Sequence, residues 1–276
     1  MRTIHVSLQE AEDAIGRVDA RVLLCDVLGV DRAFLATHPF HILTETQDAR
    51  IDMLVAKRQM GYPVAYLVGR REFYGRDFAV DESVLIPRPE TEHLVEAALE
   101  RMPQAPCTVL DLGTGSGAIA VTLACERAEA RVTAVDASPD ALRTARANGE
   151  RHAPGRIEFL EGTWYAPLAD RRFDVIVSNP PYVAGADPHL AQGDLRFEPS
   201  VALTDGSSDG LDSIRAIVAG ARAHLAPGGW LLIEHGHDQG EPVAGLLDGA
   251  GFVSRVCVRD LAGHRRVAGG TFQVLR

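Results

Sequence analysis

Asn179-Pro180-Pro181-Tyr182 closes the apolar run Phe173-Asp174-Val175-Ile176-Val177, and it is the segment of this chain whose chemistry is easiest to read. A strand cannot go on pairing through two prolines, which lack N–H groups, and the residue before a proline is pushed out of helical geometry. The strand therefore stops with a stiff backbone and outward-facing carbonyls. Asn179 adds a neutral acceptor and donor, Pro180 a rigid carbonyl, Pro181 a second lock on the backbone and Tyr182 a flat face. Such groups suit a planar NH2. If the Asn179 side-chain oxygen and the Pro180 carbonyl each accept one N–H, the nitrogen is fixed and its lone pair aimed. That is a site for group transfer to an exocyclic or amide nitrogen.

Upstream, the run Val109-Leu110-Asp111-Leu112 leads into Gly113-Thr114-Gly115-Ser116-Gly117 and then a helix-like stretch. Gly113, Gly115 and Ala118 satisfy the dinucleotide fingerprint, and Asp136 stands about 20 residues on, where a ribose-binding acid is expected. NAD and S-adenosylmethionine both present a ribose diol, so Asp136 does not separate them. A Gly-x-Gly-x-Gly turn after an acidic strand end at Asp111 fits the methyl donor better, because that cofactor has no pyrophosphate to cradle. Tight turns that merely let strand and helix pack are the plainer explanation of such a loop; Asn179 to Tyr182 downstream speaks for a ligand.

The elements that must position these residues follow from periodicity. Strands are expected at 108–112, 131–135, 156–160, 173–178 and 230–235, separated by helix-like stretches, which implies crossovers and a mostly parallel sheet with antiparallel pieces near 252–258 and 271–275. Ligands bind beyond the carboxyl ends of such strands, where Gly113, Asp136 and Asn179 converge. Residues 1–75 read as helices. Ser7-x-x-Glu10 and Thr44-x-x-Gln47 are capping-box patterns and Asp19 is a candidate cap; Leu8, Ala11 and Ile15 recur at helical spacing in the first helix, Val22, Leu23 and Val27 face inward in the second, and Ile51, Leu54 and Val55 share one face of the third. This half carries no catalytic cluster, so recognition of a partner and a stabilising cap both fit. Residues 76–90 form a hairpin and a stiff linker, Leu85-Ile86-Pro87-Arg88-Pro89, after which Thr91 is placed to cap a helix from Glu92 to Arg101. Residues 91–276 form the larger domain.

With 276 residues and 46% apolar content the chain can bury a full core. No run approaches the roughly 20 apolar residues of a membrane span, and the acidic N-terminal stretch resembles no leader peptide, so a cytoplasmic location is expected. Cys25, Cys107, Cys125 and Cys257 are widely spaced and read as reduced thiols. A formal charge of −10 disfavours a large nucleic-acid footprint, since counterion release needs many basic contacts. The pairs Lys57-Arg58, Arg70-Arg71, Arg171-Arg172 and Arg265-Arg266 read as solvated surface. His235-x-His237 lacks a third ligand nearby, so no metal is expected, and Glu234, at the end of that strand, reads as structural, with orientation of the active-site loop as the alternative. A monomer is expected.

Taken together, the helical N-terminus, Ile86-Pro87-Arg88-Pro89-Glu90-Thr91-Glu92, Asp111 to Gly117, Ser178 to Tyr182 and Arg196-Phe197-Glu198-Pro199 resemble the peptide chain release factor N5-glutamine methyltransferases over essentially the whole chain. The resemblance implies an α/β Rossmann-like methyltransferase domain with a small helical N-terminal domain. It implies S-adenosylmethionine as donor and the glutamine of the Gly-Gly-Gln motif in class 1 release factors as substrate. It also implies that Gly113 to Gly117 hold the donor, Asp136 its ribose hydroxyls and Trp164 its adenine, although a core indole is the competing reading of Trp164. Glu198 is expected to wall the glutamine pocket. The residues alone show only an NH2-directed methyl transfer, so an RNA or DNA amino-methyltransferase acting on adenine N6 or guanine N2 stays open, as does a silent binding protein that keeps the fold.

Overall fold

The computed structural model describes residues 2–272. Residues 1–70 together with 192–197 form one compact unit, and 71–191 with 198–276 a second.

The first unit is built on helices α1 (Ile4–Ile15), α2 (Arg17–Leu28), α3 (Arg32–Thr37), α4 (Glu45–Gln59) and α5 (Val64–Val68) around Ile4, Ala11, Ala20, Leu24, Leu35, Leu43 and Ile51. Thr44 and Gln47 form the full capping box of α4, and Gly29 closes α2 in the left-handed region. The expected box at Ser7 is not formed. Thr3 caps α1 one turn earlier, because Ile4 is already needed in the core, and Ser7 becomes a buried residue inside the helix. Asp19 does not cap α2 either; it sits in the first turn and accepts from Arg58 Nε at 2.7 Å. Arg58 also reaches Asp194 at 2.8 Å, and Tyr62 stacks on Phe197 with ring centroids 4.3 Å apart, which ties 192–197 to the helices. Arg58 is thus a partly buried clamp and not solvated surface.

The second unit begins with a hairpin, β1 (Arg70–Phe73) and β2 (Arg76–Ala79), and continues α6 (Glu92–Arg101), β3 (Thr108–Leu112), α7 (Ala118–Glu126), β4 (Arg131–Asp136), α8 (Pro139–His152), β5 (Ile157–Glu161), β6 (Phe173–Ser178), α9 (Ser200–Leu203), α10 (Asp212–His224), β7 (Leu225–Glu234), α11 (Gly240–Gly249), β8 (Phe252–Arg259) and β9 (Arg265–Phe272). Seven strands form one sheet in the order β5-β4-β3-β6-β7-β9-β8, with β3 to β7 mutually parallel and β9 antiparallel to both neighbours. Period-2 alternation divides the side chains of these strands. Val109, Val132, Val175 and Val177 pack beneath α6 and α7, whereas Leu110, Leu112, Ile176 and Ile233 pack with α10 and α11 on the other face. Both faces are covered, so the strands read as continuous apolar runs, each buried Leu or Ile contributing roughly 1.5–3 kcal/mol.

β9 departs from expectation. Gly269 and Gly270, outside the expected 271–275 piece, lie within the strand, and a Cβ at Gly269 would collide with the Leu231 carbonyl oxygen on β7. The strand begins at Arg265, and the 273–275 part of the expected piece lies outside the described residues. Arg266 is drawn to Asp260 at 2.8 Å and is partly buried, contrary to its reading as solvated.

The chain runs outward from β3 through β4 to β5, then returns to lay β6 on the other side of β3. Between β3 and β6 the loops leave in opposite directions and open a crevice at the carboxyl edge.

Candidate active site

Leu112 pairs with Ser178 across that switch point, so the glycine loop after β3 and the Asn179 loop after β6 emerge side by side. They wall a cavity of about 600 Å³ lined by Gly113, Thr114, Gly115 and Ser116, by Asp136 to Ser138, by Gly162 to Trp164, and by Asn179 and Pro181, with Leu85, Pro87, Arg88 and Thr91 opposite.

The glycine loop is shaped from beneath. Asp111 is fully buried and its Oδ2 accepts from the Thr114 hydroxyl at 2.6 Å. Burial pushes its carboxyl up to about 7, against the stabilising Thr114 hydroxyl and Ala120 N–H. Gly117, at φ +82°, faces α8: a Cβ there would stand 3.3 Å from the Ala145 backbone. Asn148 on α8 donates to the Ser116 carbonyl at 2.8 Å and exchanges two hydrogen bonds with Ala79, locking loop, helix and hairpin together.

Asp136 ends β4 at the cavity wall. Its two oxygens accept from Gly115 N–H at 2.8 Å and Ser138 N–H at 2.9 Å, with the Ala137 N–H also directed at the carboxylate, and the residue lines the cavity. Desolvation raises its pKa, opposed by these N–H groups. Ser138 caps α8 through Ala141 N–H at 3.2 Å. Trp164 takes a left-handed φ of +50°, which lays its ring against Gly113, 3.5 Å from where a Cβ would stand.

Asn179 reaches the cavity with its Nδ2 donating to Thr91 Oγ1 at 3.1 Å. Behind it, Pro180 is buried, and the Tyr182 hydroxyl donates to Glu234 at 3.3 Å. The Tyr182 carbonyl accepts from Gln239 Nε2 at 2.9 Å, and Gly210 approaches that carbonyl so closely that no Cβ fits. The loop is therefore clamped on its far side.

A model described as "PrmC N-terminal domain" matches residues 2–69, and one described as "Methyltransferase small domain" matches 91–195. The release factor glutamine methyltransferase of Xylella fastidiosa (strain Temecula1 / ATCC 700964) is 52% identical over 95% of this chain and 96% of its own length. That of Vibrio cholerae serotype O1 (strain ATCC 39315 / El Tor Inaba N16961) is 45% identical over 98% and 94%. The chain belongs to the release factor glutamine methyltransferase family. The solved methyltransferase of Pyrococcus furiosus superposes with a TM-score of 0.55 at 18% identity, covering 84% of this chain and all (100%) of that one, which speaks for the Rossmann-like methyltransferase fold alone.

Within this family member, the structure gathers Gly113, Thr114, Gly115, Ser116, Asp136, Trp164, Asn179 and Pro181 around one cavity and leaves other expected site residues off its wall. Asp111 and Gly117 shape the loop from below. Tyr182 is turned toward Glu234. Glu198 stands off the cavity wall: its side chain is wholly buried, one oxygen accepting from Ile86 N–H at 3.0 Å and the other from Arg88, so it fastens the proline-rich linker. Thr91 is a correction, since it forms no side-chain cap on α6 and its hydroxyl oxygen instead accepts from Asn179 Nδ2. Ser138, missed from the sequence, carries a readable signal in Ser138-Pro139-Asp140, a helix N-terminus following Asp136. Gln239 carries none. No helix among the described residues is long and apolar enough to cross a membrane, and no group of three or more metal-ligating side chains is assembled among them.

Proposed function

We propose that this chain transfers the methyl group of S-adenosylmethionine to the side-chain amide nitrogen, N5, of the glutamine in the Gly-Gly-Gln motif of class 1 release factors. The observation that carries the reading is the Asn179 amide, held by its own nitrogen with the oxygen left for the cavity, on the wall shared with the glycine loop and Asp136.

The residues present fit the donor. Asp136 puts a carboxylate acceptor on the cavity wall for a ribose hydroxyl, Gly113 to Ser116 offer a backbone surface without bulky side chains, and Trp164 supplies a flat apolar wall. Bound there, S-adenosylmethionine supplies a methyl sulfonium, an electrophile that needs only an aligned nucleophile. The chain's task is the nitrogen. An amide lone pair is delocalised by the same resonance that gives a peptide bond its rotation barrier of roughly 18–20 kcal/mol. Asn179 Oδ1 and the Pro180 carbonyl each accept one N–H, hold the NH2 in one plane and raise electron density on nitrogen as positive charge develops. The extra proton leaves after transfer, so no base is required beforehand. Tyr182 braces the loop through Glu234 and not by stacking on substrate.

The helical N-terminal unit, 1–70 with 192–197, serves recognition of the release factor, and its exposed Phe40 and Ile42, 79% and 61% accessible, are surface suited to a protein partner. The net charge of −10 supports a protein substrate over RNA or DNA, and the enzyme acts as a cytoplasmic monomer in this reading. Incubation with labelled donor and either a release factor or ribosomal RNA tests it: label on the Gly-Gly-Gln glutamine is expected, and label on RNA amines instead would overturn it.

A further inference from the structure

Pro180 and Pro181 fix their own φ but donate no hydrogen bond, so the direction of the Pro180 carbonyl depends on what grips the chain on either side of them. On one side the grip is β6, where Ser178 pairs with Leu112 and Ile233 and its hydroxyl donates to the Leu112 carbonyl at 2.7 Å. On the other side it is Gln239, which heads α11 and reaches Tyr182 across 57 residues of chain.

Gln239 engages every polar group of its side chain. Nε2 donates to the Tyr182 carbonyl and to the Asp209 carbonyl, each at 2.9 Å, and Oε1 accepts from the Gly236 N–H at 2.9 Å. Two carbonyls at one end and an N–H at the other leave the amide a single orientation. The residue is 9% exposed, and its own N–H is bound to the Gly236 carbonyl at 3.0 Å.

The two carbonyls belong to two segments that run together. Val183 N–H donates to the Leu203 carbonyl at 2.9 Å and Gly185 N–H to the Ser207 carbonyl at 2.8 Å. Gly210, at φ +67°, comes so near that a Cβ would stand 2.1 Å from the Tyr182 carbonyl oxygen. The first segment carries Asn179 and Pro181 to the cavity wall, the second Thr204 and Asp205, and Gln239 stands behind both. Planar peptides and two locked φ angles leave few soft torsions between the Pro180 and Tyr182 carbonyls, so a shift at Tyr182 is passed back to Pro180.

We propose that Gln239 is a positioning residue for methyl transfer: by holding the Tyr182 carbonyl from behind and tying it to the Asp209 segment, it fixes the direction in which the Pro180 carbonyl and the Asn179 amide meet the substrate NH2. This rests on the roles assigned to Asn179 and Pro180 above.

Gln239→Met keeps the length of the side chain and removes both donors and the acceptor. Its single-turnover rate on a release factor, measured well below its melting temperature, should fall about 10- to 100-fold, the scale of a displacement of about 1 Å at a reacting group, while S-adenosylmethionine binds within about threefold of wild type. Gly210→Ala disturbs the same carbonyl without touching Gln239 and should give the same split between rate and donor affinity. The double variant should be no more than about threefold slower than the slower single one, because both changes act through one carbonyl. A folded Gln239→Met with the wild-type rate, whatever its melting temperature, overturns the proposal, as do losses that multiply in the double variant. If Gln239→Met does not fold, Gly210→Ala carries the comparison; failure of both to fold would make the clamp a stability device and overturn the proposal too. An active Asn179→Ala variant would instead refute the reading of the site itself.

Discussion

Replacing Glu198 with alanine separates a structural carboxylate from a substrate-binding one. Its two oxygens hold Ile86 N–H at 3.0 Å and the Arg88 guanidinium, and the side chain has no exposed surface. Glu198→Ala leaves the buried Ile86 N–H without an acceptor, which costs roughly 1–3 kcal/mol. The Arg88 pair adds less, because that side chain is 32% exposed and solvent screens it; about 1 kcal/mol is a fair allowance. A total of about 2–4 kcal/mol corresponds to a fall in melting temperature of roughly 5–15 °C in a domain of this size. Glu198→Gln keeps one acceptor and should lose about half as much. Because Leu85, Pro87 and Arg88 line the cavity, donor affinity should drop together with stability. Thermal unfolding followed by circular dichroism and donor calorimetry make the comparison. A Glu198→Ala protein that melts like the wild type but shows a raised KM for the release factor alone would refute this reasoning and return Glu198 to the glutamine pocket.

Four further outcomes are expected. Asp136→Ala should weaken S-adenosylmethionine binding by a few kcal/mol at most, at roughly 1.5–3 kcal/mol per charged hydrogen bond, and unchanged affinity by calorimetry would remove it from the donor site. Asp111 is raised from 3.8 to about 7 by burial, so its neutral form stabilises the fold fully below about 3.8 and that contribution is lost as pH rises through about 7. Urea unfolding across pH 4–8 should therefore show Asp111→Asn losing less stability with rising pH than the wild type; parallel curves would contradict the buried charge. Gly117→Ala, at φ +82° with a Cβ 3.3 Å from Ala145, should cost at least the roughly 1–2 kcal/mol of left-handed strain and weaken donor binding. Phe40→Ser with Ile42→Ser should raise KM for an intact release factor and leave a short Gly-Gly-Gln peptide as poor a substrate as before; equal kinetics on the intact factor would mean that this surface does not dock it.

Residues whose role is local were legible in the sequence. The prolines that end β6, the left-handed glycines after β3, the capping box at Thr44 and Gln47, and the acid ending β4 each follow from neighbours a few positions away. What escaped depends on partners far along the chain. Glu198 is 112 residues from Ile86, Thr91 is 88 from Asn179, and Tyr182 is 52 from Glu234, separations over which periodicity carries no information. Thr91 illustrates the difference: a threonine before Glu92 has the pattern of a helix cap, but the chain enters α6 through a 3₁₀ turn with Thr91 already at helical φ and ψ, which frees its hydroxyl for Asn179. Likewise the expected piece at 271–275 misses the start of β9 at Arg265, whose pairing with β7, far back along the chain, draws Val267 to Gly270 into the strand.

The most direct test of the central claim is single-turnover methyl transfer by Asn179→Ala, measured beside its donor affinity. If the Asn179 amide fixes the reacting nitrogen, the rate on a release factor should fall on the order of 10² to 10³ while S-adenosylmethionine binds as before. A variant that keeps more than about a tenth of the wild-type rate, or whose loss is explained by weaker donor binding, would contradict it.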